Sequence, residues 1–148
     1  MPHAGLMDEN NMEPCDALLL RAKLHIRGGR RRLRQGKISA GIVTLYDAIC
    51  AALELQTIAP SSKKRLIIKE GENLNDDKTV YRILVRSRIL DGFFDYDVFN
   101  AIVERALTDE MKDFQYGFLL AGIESVMTQL GIMPFDEQAL PPEDPLTF

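Results

Sequence analysis

Residues 27–37 read RGGRRRLRQGK, with six cations, no acid and two adjacent glycines. Arginine binds phosphate and carboxylate groups through paired hydrogen bonds, so this run predicts contact with a nucleic-acid backbone or with acidic side chains. The candidate binding residues are Arg27, Arg30, Arg31, Arg32, Arg34 and Lys37. At 100° per residue the arginines avoid the helix side that carries Gly29 and Leu33. A solvated helix face, paired with acids of the same chain, explains this pattern better than a phosphate grip.

The charge of the chain is small but unevenly spread. The net charge is −4; residues 1–75 carry twelve Lys and Arg against eight Asp and Glu, and residues 76–148 carry six against fourteen. The second half therefore offers internal partners for the cations. Nucleic-acid-binding domains are usually basic and place aromatic side chains among their cations. This chain has a pI near 5.2 and no aromatic residue before Tyr46, so nucleic acid is a possible partner but not the favoured one.

The residues that could bind a metal lack the spacing of known metal sites. His3 and His25 have no second ligand at helical spacing. Asp91, Asp95 and Asp97 surround a turn, but their spacing is not that of a calcium loop. Acids just before an apolar run are typical helix N-caps, and we interpret these three residues as stop and cap signals. We expect no metal and no cofactor.

No residue type in the sequence stands in a catalytic pattern. Cys15 and Cys50 form no Cys-x-x-Cys motif, and Cys50 lies within an apolar stripe typical of core packing. Glu110 and Asp113 resemble one acidic pair of the all-α nucleotide pyrophosphohydrolases, but the second pair is missing. We assign no catalytic residue, and an enzyme without a local motif is the third hypothesis.

Every long periodic segment has the helical period of 3.6 residues. The pattern predicts five helices, near residues 16–35, 38–57, 76–91, 96–107 and 109–130. Gly36 joins the first two as an αα-hairpin, and the small residues that open the second helix allow close approach. The last helix has apolar residues on more than one face, which places it at the bundle centre with Leu120 and Ile123 buried. The predicted fold class is all-α, a five-helix antiparallel bundle with an αα-hairpin start and flexible termini.

The domain organisation follows from the same pattern. We predict a disordered N-terminus over residues 1–13, a single helical-bundle domain over 14–134 and an acidic, proline-rich tail over 135–148. The connector at 57–75 should be the least ordered internal segment. The first residues lack the basic and apolar regions of a signal peptide. The longest unbroken apolar run has six residues, from Ala48, so we expect no membrane span and a cytoplasmic protein of prokaryotic style.

One segment resembles a known family. Residues 33–53, LRQGKISAGIVTLYDAICAAL, resemble one half of the antiparallel hairpin of HEPN domains, which are small α-bundles. Ribonuclease members of that family carry Arg and His four to six residues apart at the start of a late helix. Here Arg21 and His25 lie in the first helix instead. The resemblance therefore implies a noncatalytic member that binds a protein partner such as a nucleotidyltransferase.

The leading hypothesis is a helical interaction module that acts through a protein partner or through self-association. Leu20 and Leu24 oppose the main apolar stripe of the first helix, which implies a second covering surface and favours a homodimer. The alternative is a nucleic-acid-binding protein that uses the stretch from Arg27 to Lys37.

Overall fold

The computed structural model describes residues 6–148, and in that range the chain is all-α, as predicted. Residues 1–5, with His3 and the start of the predicted disordered segment, lie outside the described residues. The helices are α1 Pro14–Arg34, α2 Ile38–Ile58, α3 Pro60–Lys63, α4 Asp77–Arg86, α5 Tyr96–Ala106 and α6 Gly117–Gln129. Short 3-10 turns occupy Glu9–Asn11, Glu137–Ala139 and Pro145–Thr147. The described residues therefore contain six α-helices, which are the five predicted helices and the additional short helix α3.

The predicted αα-hairpin is formed by α1 and α2. Gly36 closes α1 with φ at +79°, a left-handed conformation that favours glycine. The two helices then cross at a close contact between glycines. A Cβ on Gly29 would lie 2.6 Å from Leu45 Cγ, and one on Gly41 would lie 2.8 Å from Leu33 Cγ. A leucine of the other helix therefore packs against each glycine, and the predicted close approach is confirmed.

The central helix is α2, because it packs against α1, α3, α4, α5 and α6. The prediction that the last helix lies at the centre is wrong. Ile123 of α6 is buried, but Leu120 is only partly buried and Phe118 is 94% exposed. The apolar residues of α6 belong to two different environments, one facing the core and one facing solvent. An excess of apolar residues on a helix does not by itself tell these environments apart.

The last helix begins later than predicted. Residues 108–116 form turns instead of helix, and α6 starts at Gly117 rather than near residue 109. Met111 adopts a left-handed backbone, with φ at +57°, and its side chain is buried in the core. The Ser39 hydroxyl at the start of α2 donates to the Asp109 carbonyl. Thr108, Asp109 and Glu110 would favour the start of a helix, but these tertiary contacts override that local preference.

The third predicted helix, α4, ends at Arg86 instead of Asp91. Arg88 takes a left-handed conformation, with φ at +59°, which terminates the helix. The backbone N–H of Ile67 donates to Ser87 Oγ at 2.8 Å. The end of α4 therefore holds the connector that precedes it in the chain.

The connector predicted to be least ordered is anchored at Glu72. Both Glu72 carboxylate oxygens accept hydrogen bonds from the Arg86 guanidinium at 2.7 Å. Glu72 Oε1 also accepts from the Lys69 backbone N–H at 2.7 Å, and Arg86 donates to the Ile67 carbonyl at 2.7 Å. A paired arginine–carboxylate contact is among the stronger polar contacts in proteins. The Glu72–Arg86 ion pair thus ties this segment to α4, together with the hydrogen bonds at Ile67.

This ion pair predicts an acid-sensitive contribution to stability. The hydrogen bonds from Arg86, then that from the Lys69 N–H, lower the pKa of Glu72 to about 2. An unfolded glutamate has a pKa of about 4.3, so protonation favours the unfolded chain. The contribution should be complete above about pH 5 and lost as pH falls towards 2. Urea unfolding of wild type and Glu72→Gln should give a stability difference at pH 7 that shrinks at pH 3.

The exposed neighbour Glu70 supplies the matched control for this measurement. Glu70→Gln removes the same charge from the same connector without touching Arg86. Its stability at pH 7 should be close to that of wild type, because Glu70 makes no contact with Arg86. A pH-independent effect of Glu72→Gln would contradict the expectation.

The membrane prediction needs one correction. By length and composition α2 is apolar enough to cross a membrane, with 21 residues and a window of mean hydropathy 1.6. The longest unbroken apolar run was too strict a measure of this property. However, 56% of that window is buried inside the protein. The core helix of a globular protein passes the same test, and α2 occupies that position.

Candidate functional site: a basic helix face and an apolar groove

The structure divides the candidate cations of α1 between two faces. Arg27, Arg30, Arg31 and Arg34 follow the spacing i, i+3, i+4 and i+7, and so share one face of the helix. Arg32 points to α2, where it donates to the Thr44 hydroxyl. Lys37 is exposed in the turn between the two helices. The six predicted residues are therefore not one site, but four of them form one basic face.

Acidic side chains from the second half of the chain lie on this basic face. Arg27 Nε is 3.0 Å from Glu143 Oε1, and the other oxygen of Glu143 accepts from Arg31 Nε. Arg30 Nη1 is 3.1 Å from Glu124 Oε2. The uneven charge of the two halves is thus matched by direct contacts between them.

The last 14 residues supply most of these contacts. Glu137 also accepts a hydrogen bond from Arg30. The Phe148 ring lies 4.6 Å from the centre of the Arg31 guanidinium, which is a cation–π contact. Nearer the start of α1, the Lys23 ammonium is 5.8 Å from the Phe135 ring. The segment predicted as an acidic tail therefore extends along α1.

These contacts are partly shielded from water. The side chains of Arg31 and Glu143 are only 10% and 13% exposed. In that environment an ion pair is screened less than on an open surface, and losing one partner leaves a desolvated charge. Burial, and then the neighbouring charge of Arg31, also lower the pKa of Arg32 below its usual range. The basic face of α1 is thus largely occupied in the intact chain.

Of the three aspartates interpreted as stop and cap signals, only Asp95 is confirmed as a cap. Asp91 forms a turn after the end of α4 instead of ending that helix, and Asp97 lies within the first turn of α5. Asp95 Oδ1 accepts from the Val98 N–H at 3.1 Å and caps α5. Asp91 Oδ1 accepts from the Phe93 N–H at 3.0 Å. Within residues 6–148, no group of three or more His, Cys, Asp or Glu side chains is placed to hold a metal ion.

A polar cluster lies between α2, α4 and α5. The hydroxyls of Tyr46 and Tyr96 donate to Asp77 Oδ2 at 3.0 and 2.7 Å. Burial, together with these hydrogen bonds, raises the pKa of both tyrosines. Burial also raises the pKa of the Cys50 thiol to about 11. A thiol with this pKa is protonated at neutral pH and is a weak nucleophile, so the cluster is better suited to joining the helices than to catalysis.

The histidine of α1 is a core residue. His25 is fully buried, with Nδ1 3.8 Å from Asp47 Oδ2. Leu24 beside it is also fully buried by its own chain, and Leu20 is partly buried. A cavity next to Leu20 is lined by Phe135 and other residues of the C-terminal segment. The same chain therefore covers Leu24 fully and Leu20 in part, so these leucines do not require a subunit interface.

An apolar groove that the sequence pattern did not predict lies between α5 and α6. Its volume is about 550 Å³. Aromatic and aliphatic side chains line it, including Phe93, Phe94, Val98, Ile102, Phe118 and Leu119. Phe93 and Phe118 are 92% and 94% exposed, and Val98 is 53% exposed. Asp95 is the one ionisable residue among the lining residues, and it already caps α5.

A signal for this groove was present in the sequence. The segment at 92–94 reads GFF and the start of α6 reads GFLL, so both have adjacent large apolar residues. In α6, as in any helix, adjacent residues cannot all face one core, and residues 92–94 lie in the loop before α5. The doubled apolar face of the last helix was interpreted as deep burial, whereas in the structure one of its faces is exposed.

Comparison with models of known protein families, with curated proteins and with solved structures finds no match to this chain. The functional interpretation therefore depends on the two surfaces described above.

Proposed function

We propose that this protein is a helical interaction module that works through a protein partner, with self-association as a homodimer being the case that the surface favours. The observation that supports it is the pair Phe93 and Phe118, which are 92% and 94% exposed beside a groove of about 550 Å³. Contiguous exposed apolar surface of this kind marks interaction sites in proteins. The resemblance to noncatalytic, partner-binding HEPN domains and the antiparallel packing of the five longer helices belong to the same proposal.

The energetics favour covering this groove. Burying one phenylalanine side chain contributes about 1.5–3 kcal/mol, and aromatic residues dominate the binding energy of many interfaces. Two copies that pair their grooves would bury four such rings, two from each chain.

The charge of the groove favours a second copy as the occupant. Glu124 is the one ionisable residue of α6, and its carboxylate is turned to Arg30 on the other side of the helix. In a two-fold symmetric contact the same surface of both copies meets, so like charges on it repel each other. The groove carries a single carboxylate, the helix cap Asp95, which limits this repulsion. The proposed homodimer interface therefore lies on α5 and α6 and does not include Leu20 and Leu24.

Sedimentation velocity tests the dimer. At tens of micromolar, wild type should sediment at twice the 16.7 kDa mass of one chain, and Phe118→Ser should shift it to the monomer. Leu107→Ser is the matched control, because Leu107 is 68% exposed but does not line the groove, and it should leave the dimer intact. A monomeric wild type, or a Phe118→Ser variant that dimerises as well as wild type, would overturn this assignment.

A further inference from the structure

The C-terminal segment, residues 135–148, is bound to α1 in the manner of a peptide ligand. Among its described side chains none is fully buried, and Leu146 is 91% exposed. Its regular structure consists of two single 3-10 turns. Phe135 at its start packs against the core, and the rest of the segment is held mainly by ion pairs and by the ring of Phe148.

The complementary surface on α1 is preformed by the helix. Arg27, Arg30 and Arg31 share one face, so the helix presents the three side chains together. The Glu143 carboxylate contacts the guanidinium groups of Arg27 and Arg31, and the Glu137 carboxylate contacts that of Arg30. Arg30 and Arg31 donate charge-assisted hydrogen bonds to Glu137 and Glu143, and the directionality of these bonds gives the surface selectivity.

The sequence of the segment lowers the entropic cost of binding. Pro141, Pro142 and Pro145 restrict the backbone between and after the two glutamates. A restricted chain loses less conformational freedom when it is fixed on a surface. The Phe148 ring then stacks on the Arg31 guanidinium at 4.6 Å. The features that α1 recognises are thus two spaced carboxylates followed by an aromatic ring.

We propose that this face of α1 is a binding surface for an acidic, proline-containing peptide of a partner protein, and that residues 135–148 occupy it in the free protein as an internal competitor. A tethered segment has an effective concentration of about 1 mM, so a free peptide with the same contacts binds poorly while the segment is in place. Partner binding therefore requires release of the segment or more contacts than it makes. This surface is separate from the groove between α5 and α6, so the proposal does not depend on the dimer.

The test uses full-length protein and a labelled peptide of residues 135–148. Glu137→Gln/Glu143→Gln releases the internal competitor, and fluorescence polarisation should show peptide binding at least roughly tenfold tighter than to wild type. Adding Arg31→Gln to this variant should abolish the gain. Glu70→Gln/Glu104→Gln is the matched control, because it removes the same charge from exposed positions and should bind as wild type does.

A second measurement on wild type keeps the proposal testable if the double variant fails to fold. Saturating peptide should speed amide hydrogen exchange in residues 137–148, because the peptide displaces them. The proposal is overturned if a folded double variant binds no tighter than wild type or if the exposed control gains as much. Unchanged exchange under saturating peptide would also refute it. Tighter binding of a single-stranded oligonucleotide of equal charge would assign the face to phosphates instead.

Discussion

Replacing Phe99 by alanine is expected to lower the free energy of unfolding by about 3–5 kcal/mol. Phe99 is fully buried in α5, and its ring centre lies 5.2 Å from that of Phe94 and 5.7 Å from that of Tyr96. It also reaches Tyr46 of α2 at 5.9 Å. The substitution therefore leaves a cavity at the junction of two helices and removes edge-to-face ring contacts. Urea unfolding monitored by circular dichroism measures the change.

The matched control for this change lies six residues earlier. Phe93→Ala deletes the same atoms from a ring that is 92% exposed, and at protein concentrations low enough for the chain to be monomeric its unfolding free energy should stay within about 0.5 kcal/mol of wild type. Equal losses from both variants would show that α5 does not dock on α2 through Phe99.

The second large effect is expected at the contact between α1 and α2. Gly29→Ala should destabilise the protein by about 1–3 kcal/mol, although alanine normally favours a helix over glycine by about 0.5–1 kcal/mol. The added Cβ would lie 2.6 Å from Leu45 Cγ, and Leu45 is itself 1% exposed, so it has little room to move. Overpacking therefore outweighs the gain in helix propensity. Thermal and urea unfolding both report the change.

Two comparisons isolate the steric cause. Gly117→Ala makes the same change at the start of α6, where nothing lies within 4 Å of the new Cβ, and should be neutral or stabilising. In a Leu45→Ala background, Gly29→Ala should lose most of its cost, because the two side chains no longer compete for one space. A Gly29→Ala penalty that is the same in both backgrounds would refute the close-approach argument.

The sequence predicted the parts of the fold that local rules decide. The all-α class, the hairpin turn at Gly36 and the Asp95 cap follow from periodicity and capping chemistry within a few residues. The start of α6 does not, because Thr108 and the acids after it form a good local helix signal. The buried side chain of Met111 and the hydrogen bond from Ser39 decide that region, and both depend on residues distant in the chain.

The two candidate surfaces show the same limit. Helical spacing separates Arg32 from the face of Arg27, Arg30 and Arg31 once the helix is known, and composition indicates that acids are available. Neither the spacing nor the composition identifies Glu137 and Glu143 as the partners. That pairing depends on the path of residues 135–148, and this segment has no regular periodicity from which its path could be predicted. The groove was missed for a related reason, since apolar residues on α6 give no sign of which face the chain itself covers.

The separation of the arginines from their acidic partners along the chain has a consequence for synthesis. Arg31 precedes Glu143 by 112 residues. At about 5–20 residues per second, a ribosome adds Glu143 about 6–22 s after Arg31. Helices form within about a microsecond, so α1 is complete long before its own competitor exists. Until residues 135–148 are made, a new chain has no internal competitor for its arginine face, so this is the interval in which the proposed partner peptide would bind without competition.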